Sequence, residues 1–152
     1  MTRQEKAIGY FDQGFNCSQS VLTAFSKELN MPEDDLLKIS CAFGGGMGRR
    51  QLTCGAVSGA LMALGLHYGR GSGDDISKKT FTYEKADEFM TAFELRNGSV
   101  NCRDLLQGLN MNDPEDMKKI ESLGLFKTSC YKYAKDAVEI VEQMITTIKP
   151  VI

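Results

Sequence analysis

The spacing of apolar residues is the feature that most limits how this chain can fold. Apolar side chains recur at steps of three and four residues along most of the sequence, which is the period of an amphipathic α-helix. Thr2 with Glu5 forms a capping-box pattern, and Asp113 before Pro114 is a typical helix start. No segment alternates between apolar and polar residues for long enough to indicate a strand. The sequence therefore predicts an all-α fold of about six or seven helices.

Length and charge narrow the class of protein further. Residues 1–152 are predicted to form one helical domain, because 152 residues suffice for a single core and are few for two. The formal net charge is −2, so the composition does not favour nucleic acid or an anionic membrane as a partner.

The apolar content indicates where such a protein resides. The most apolar stretch, residues 56–66, has 11 residues, whereas a membrane span needs about 20, so we expect a buried helix and no membrane span. Residues 1–5 lack the apolar run of a signal peptide, which predicts a cytoplasmic location. Cysteines there are expected to be reduced, metal-bound or catalytic.

The cysteines carry the strongest indication of chemistry. They are Cys17, Cys41, Cys54, Cys102 and Cys130. No two form a CxxC pair, which argues against a zinc ribbon or a thioredoxin-type motif. Each directly follows a residue that can cap a helix. Cys41 lies late in a predicted helix, whereas the other four are predicted in the first turn of a helix.

A helix start changes the chemistry of a thiol. Unpaired backbone N–H groups and the positive end of the helix dipole stabilise a thiolate, so its pKa is expected to fall below the free value of about 8.5. The thiolate is both the nucleophile in disulfide exchange and the form that binds metal. Several helix starts that converge would therefore form a reactive pocket.

Two glycines directly after Cys54 predict a close approach to this helix. Gly55 and Gly59 lie on one helix face, although a glycine inside a helix costs about 1 kcal/mol relative to alanine. Either a neighbouring helix packs unusually close to this face, or a bound group such as a cofactor lies against it.

The cysteine segments resemble a known family. Residues 54–59, Cys-Gly-Ala-Val-Ser-Gly, match the CGAxxG signature of the C_GCAxxG_C_C family, whose members are described as redox-active. The segments around Cys17 and Cys102 are similar to the first and third cysteine segments of that family, and Cys130 to its last. The resemblance extends from about residue 15 to residue 141.

The resemblance implies a functional set and leaves its chemistry open. The set is Cys17, Cys54, Cys102 and Cys130. Cys41 falls outside the pattern and is expected in the core. One hypothesis is a thiol redox protein, in which two of the four thiols cycle between dithiol and disulfide and Cys54 attacks first. Another is a binding module that holds an iron–sulfur cluster or zinc on the same four residues, since a similar module accompanies an iron–sulfur centre in split-Soret cytochromes.

A third hypothesis is a non-catalytic helical accessory protein. Members of the family tend to occur near transporter genes, so the partner implied is a transporter-associated protein or an unidentified redox protein. A second copy of the chain is a further candidate partner, as a homodimer.

Two other features have weaker functional interpretations. The glycine-rich segment 44–50 is able to bind an anion or shape a cysteine pocket, but it lacks the GK[ST] ending of a nucleotide-binding loop, and we interpret it as a connecting loop. His67 is the only histidine of the chain, and we expect it to be partly exposed at a helix end rather than a ligand or base.

Overall fold

The computed structural model describes residues 1–147, and side chains as far as Ile145. Within that range nine regular α-helices and one short 3₁₀ turn form the protein, which confirms the prediction of an all-α fold. The helices are α1 (Arg3–Asp12), α2 (Cys17–Thr23), α3 (Ser26–Leu29), α4 (Glu33–Ser40), α5 (Gly55–Tyr68), α6 (Ser77–Asn97), α7 (Cys102–Leu105), α8 (Pro114–Ser122) and α9 (Leu125–Thr147). None of them is both long enough and apolar enough to cross a membrane.

One reason that the number of helices exceeds the prediction is that one predicted helix is two. The periodic segment from Asn16 to Leu29 breaks at Phe25, whose φ of −101° and ψ of 11° leave the helical region, and this break separates α2 from α3. The start signals are confirmed elsewhere: Thr2 forms a complete capping box with Glu5, and Asp113 caps α8 directly before Pro114.

Helix α5 lies at the centre of the fold. Helices α2, α6 and α9 pack against it, and α1 packs across α2 and α9. Residues 54–60 are all buried, which confirms the predicted buried helix and explains its lack of a polar face. A second, smaller cluster of buried side chains surrounds Leu106 and Ile120, next to the start of α9.

The contact between α2 and α5 is close because of a glycine. A methyl group at Gly59 would lie 2.6 Å from the carbonyl oxygen of Ser18 in α2, a distance at which the backbone has to move. Gly65, two turns further along α5, has open space where its methyl group would be. From the sequence, either close helix packing or a bound group could explain Gly59. In the structure Gly59 contacts the backbone of α2, so close helix packing is the explanation.

We predict opposite effects of alanine at these two glycines. Gly59→Ala should lower the free energy of unfolding by about 1–3 kcal/mol, because it forces α2 away from α5. Gly65→Ala, the matched control in the same helix, should raise that free energy by about 0.5–1 kcal/mol, because alanine is the better helix former. Urea unfolding followed by circular dichroism measures both. Equal stability of the two variants would contradict the close packing described here.

Candidate functional site

All five cysteines line a single cavity of about 750 Å³. Cys54 and Cys102 are buried, Cys17 and Cys130 are half-buried, and Cys41 is exposed. The rest of the wall is mainly apolar, and its large aliphatic and aromatic side chains are Phe11, Phe15, Leu105, Leu106, Met111, Phe126, Tyr131 and Tyr133. The helix starts that the sequence predicts at Cys17, Cys54 and Cys102 thus converge on one enclosed space.

Cys17 is the first residue of α2, as predicted. Asn16 caps this helix, with the Gln19 backbone N–H donating to Asn16 Oδ1 at 3.0 Å and the Asn16 N–H donating to Gln19 Oε1 at 3.0 Å. This reciprocal capping box fixes the direction in which the chain enters the helix. The Cys17 side chain is therefore held at a rigid helix start.

Cys54 and Cys102 are brought together by backbone pairing. The Cys54 N–H donates to the Val100 carbonyl at 2.7 Å, and the Cys102 N–H donates to the Leu52 carbonyl at 2.7 Å. These bonds flank an antiparallel bridge between Thr53 and Asn101.

The same pairing shifts the helix start at Cys54 by one residue. Thr53 was expected to cap this helix, but it is held in the bridge, and Cys54 itself is the N-cap of α5. Cys102 is the first residue of α7, as predicted, with Asn101 at the cap position.

Cys130 does not lie at a helix start, and that prediction is wrong. Helix α9 begins at Leu125, so Cys130 falls in its second turn and Ser129 is not a cap. The preceding Gly124 has a φ of 63°, a left-handed conformation that ends α8 and lets α9 begin at once. Tyr133, one turn beyond Cys130, donates its hydroxyl to the Leu105 carbonyl at 2.8 Å and thereby ties α9 to α7.

Cys41 is not a core residue, contrary to the prediction. It is exposed, and it begins the 3₁₀ turn Cys41–Phe43 that follows α4. The Asn16 side-chain amide donates to the Cys41 carbonyl at 2.9 Å, which fastens this turn beside the start of α2. A fifth thiol therefore lies on the wall of the cavity, next to the segment that carries Cys17.

The glycine-rich segment is a wall of the cavity rather than only a connecting loop. Its left-handed residues are Gly45, Gly46, Met47, Gly48, Arg49 and Gln51, all with φ between 56° and 70°. Such a run is rare, because non-glycine residues seldom adopt positive φ. A methyl group at Gly46 would lie 2.7 Å from the Leu52 backbone nitrogen and 2.8 Å from Cys102 Cβ, so this turn needs glycine.

Gln51 holds that wall in position. Its side chain is buried, donates to the Leu109 carbonyl at 2.8 Å and accepts from the Met111 N–H at 2.9 Å. It also interacts with the Cys102 thiol and favours its charged form. Sequence reasoning missed this residue, because a single glutamine in a loop has no characteristic pattern.

Gly55 has a role different from that of Gly59. A methyl group at Gly55 would overlap the sulfur of Cys17, so the absence of a side chain there is what admits this thiol. Gly55 lines the cavity, whereas Gly59 is not part of its wall. Of the two glycines for which the sequence left a bound group open, only Gly55 therefore faces the space that such a group would occupy.

Burial and backbone N–H groups act on Cys17 in opposite directions. Burial raises the pKa of the Cys17 thiol, and the N–H groups of Gly45, Ser18, Cys17 itself and Gly55 oppose that rise. These donors come from three separate segments: the glycine-rich loop, α2 and α5. Cys17 is thus the thiol around which the fold gathers the most hydrogen-bond donors.

The other three thiols are more strongly held in their neutral form. Burial, followed by the charge of Cys17, raises the pKa of Cys102 to about 12 and that of Cys130 to about 12. Burial and the charge of Cys17 also raise the pKa of Cys54 well above its usual range, although the N–H groups of Ala56 and Val57 oppose the rise. The prediction of lowered pKa values at helix starts is therefore wrong in sign, because desolvation outweighs the helix dipole.

The four family cysteines do not form a ready-made metal centre. Across the part of the chain that the structure describes, no three His, Cys, Asp or Glu side chains are grouped so that they can hold a metal ion. Their number and chemistry suit zinc or an iron–sulfur cluster, but their arrangement does not match a shared ion.

His67 lies outside this cavity. It is exposed near the end of α5, and its ring meets that of Tyr68 edge-on, with 4.5 Å between ring centroids. Its position agrees with the expectation of an exposed residue at a helix end.

Comparison with known proteins assigns the chain to a family that is described as redox-active. A family model described as "Putative redox-active protein (C_GCAxxG_C_C)" matches residues 15–144, and the chain belongs to that family. It is also similar to an uncharacterized protein of Archaeoglobus fulgidus, with 26% identity over 144 residues that cover 90% of this chain and 89% of the relative. No solved structure matches the chain.

We predict that Cys102 and Cys130 react slowly with alkylating agents in the reduced, folded protein. With a pKa of about 12, each should react at pH 7 about a thousandfold more slowly than an ordinary thiol, because only the thiolate attacks. Their rates should rise about tenfold per pH unit well beyond pH 9, since the thiolate fraction grows until the pKa is reached. Iodoacetamide labelling with mass spectrometry measures each cysteine separately.

The same labelling in urea is the control, because unfolding should bring all five cysteines to one rate. A plateau in the rates of Cys102 and Cys130 by pH 9 in the folded protein would contradict the raised pKa values.

Proposed function

We propose that the protein carries out thiol–disulfide chemistry in this cavity, with two of its four family thiols cycling between dithiol and disulfide. The observation that carries the proposal is the convergence of Cys17, Cys54, Cys102 and Cys130 on one cavity of about 750 Å³. Membership of a family described as redox-active supports the same chemistry.

Cys17 is the best candidate for the thiol that attacks first. Four backbone N–H groups favour its charged form, whereas its charge raises the pKa of each of the other three thiols. Once one thiolate has formed, a second one in the cavity is therefore disfavoured, and Cys17 has the most N–H support for carrying the first. The sequence favoured Cys54 for this role, but Cys54 is more deeply buried and has fewer N–H groups near its sulfur.

The reaction follows the usual course of disulfide exchange. The Cys17 thiolate attacks one sulfur of an incoming disulfide, that S–S bond breaks, and the leaving sulfur departs as a thiolate and takes up a proton. A second thiol of the cavity then gives up its proton and attacks the Cys17 sulfur. The second half of the substrate leaves as a thiol, and the protein retains a disulfide. Two electrons pass from the protein to the substrate.

Metal binding by the same four cysteines is the alternative that an experiment must separate from this chemistry. The arrangement of donor side chains in residues 1–145 gives it less support, since no group of three is placed to hold an ion. Metal content and the visible spectrum of anaerobically purified protein test it directly.

We predict a loss of two free thiols on oxidation. In a Cys41→Ser background, which removes the exposed thiol, the reduced protein has four thiols, and mild oxidation by diamide should leave two. Cys17→Ser in that background should leave three thiols before and after oxidation, because the attacking sulfur is absent. Counting thiols in unfolded samples, with mass spectrometry to identify the pair, measures the change.

Two results would overturn the proposal. The first is a thiol count that does not change on oxidation of the Cys41→Ser protein. The second is stoichiometric iron or zinc that is lost in the Cys17→Ser variant, which would favour the metal-binding alternative.

A further inference from the structure

The mouth of the cavity carries positive charge that the fold itself does not use. Arg49 and Lys127 both line the cavity and are exposed. Among the side chains described, residues 1–145, neither the Arg49 guanidinium nor the Lys127 ammonium group takes part in an ion pair or a hydrogen bond. Arg49 belongs to the glycine-rich segment and Lys127 to the first turn of α9, so the two cations come from different elements of the cavity wall.

The described residues of the cavity wall include one carboxylate, and it accepts a hydrogen bond. Among the cavity-lining residues, Asp12 is the single acid, and its Oδ1 accepts a hydrogen bond of 2.8 Å from the Tyr131 hydroxyl. A hydrogen bond from a neutral hydroxyl does not cancel the charge of a carboxylate, so the wall carries two cations against one anion, a net charge of +1. This imbalance favours an anion at the mouth.

Arg49 is held at the mouth by a constrained backbone. Its φ of 67° is unusual for arginine, and two hydrogen bonds maintain it: the Arg49 N–H donates to the Gly44 carbonyl at 3.3 Å, and the Asn112 side-chain amide donates to the Arg49 carbonyl at 2.8 Å. The backbone from which the Arg49 side chain extends is therefore held by the same loop that supplies the Gly45 N–H to the Cys17 sulfur.

The size and lining of the cavity indicate a small molecule as the occupant. A volume of about 750 Å³ falls in the range of sites that enclose a small ligand, and the wall is rich in aromatic and aliphatic side chains. A ligand that fits has an apolar or neutral body and a negatively charged end, with a sulfur that reaches the thiols behind it.

We propose that the oxidised substrate of this site is a small disulfide that carries carboxylate groups, bound through Arg49 and Lys127. This inference rests on the proposed function and adds the class of substrate. The carboxylates lie at the two cations, the S–S bond lies toward Cys17, and exchange proceeds as described above. One disulfide is reduced to two thiols while two protein thiols form a disulfide, so electrons and protons balance.

Three small disulfides of different charge test the proposal. The probes are dithiobis-nitrobenzoate with two carboxylates, dithiodipyridine without charge, and cystamine with two ammonium groups. Each is reacted by stopped flow with the reduced Cys41→Ser protein, and with that protein carrying Arg49→Gln, Lys127→Gln or both. Arg50→Gln is the matched control, because Arg50 is an exposed arginine next to Arg49 that does not line the cavity.

We predict a charge-selective effect. The double variant should react about tenfold more slowly with the dianionic probe, at an unchanged rate with the neutral probe, and faster with cystamine. The difference should vanish at high salt, about 0.5 M, because the charges are then screened. Arg50→Gln should change none of the three rates by more than about twofold.

The outcomes distinguish this inference from the proposed function. If the double variant changes all three rates equally, or none of them, the anion site is wrong while thiol exchange stands. If Cys17→Ser reacts with the neutral probe as fast as the protein that retains Cys17, the proposed function itself fails.

Discussion

The backbone pairing between Thr53 and Asn101 is the constraint on which the rest of the cavity depends. It joins the segment before α5 to the segment after α6, and so closes the base of the hairpin that these two helices form. Because Cys54 and Cys102 directly follow the paired residues, both thiols emerge on the same side of the protein. Cys17 reaches them across the close contact of α2 with α5, and α9 adds Cys130 from the other side.

The electrostatics of the cavity follow from competition between desolvation and local donors. Four thiols share an apolar space, and burial raises the pKa of each one. The donors are unevenly distributed: the loop at Gly45 and the start of α5 at Gly55 both direct N–H groups to the sulfur of Cys17. A negative charge at Cys17 then makes a second one unfavourable. The four thiols therefore differ in acidity, although in the sequence each of them directly follows a residue that can cap a helix.

Much of the fold could be predicted from the sequence because helix signals are local. Capping residues such as Asn16 and Asp113 act within one turn, and apolar spacing reports which face of a helix is buried. The start of α9 was misplaced because Gly124 ends one helix and permits the next within two residues. The bridge at Thr53 involves one residue on each side, which leaves no alternating pattern to detect. The predicted direction of the thiol pKa shifts was wrong. These shifts depend on tertiary burial, which helix position alone does not determine.

The protonated state of the buried thiols links electron transfer to acidity. Cys102 and Cys130, with pKa values of about 12, keep their protons at a pH where ordinary thiols have lost them. Joining either of them in a disulfide to Cys17, whose pKa burial also raises, releases two protons together with two electrons, and the midpoint potential then falls by about 59 mV per pH unit. For ordinary thiols this slope flattens near pH 8.5, but it continues to higher pH here, because the pKa of both partners is raised. The fraction of oxidised protein therefore responds to the pH of its surroundings as well as to their redox potential.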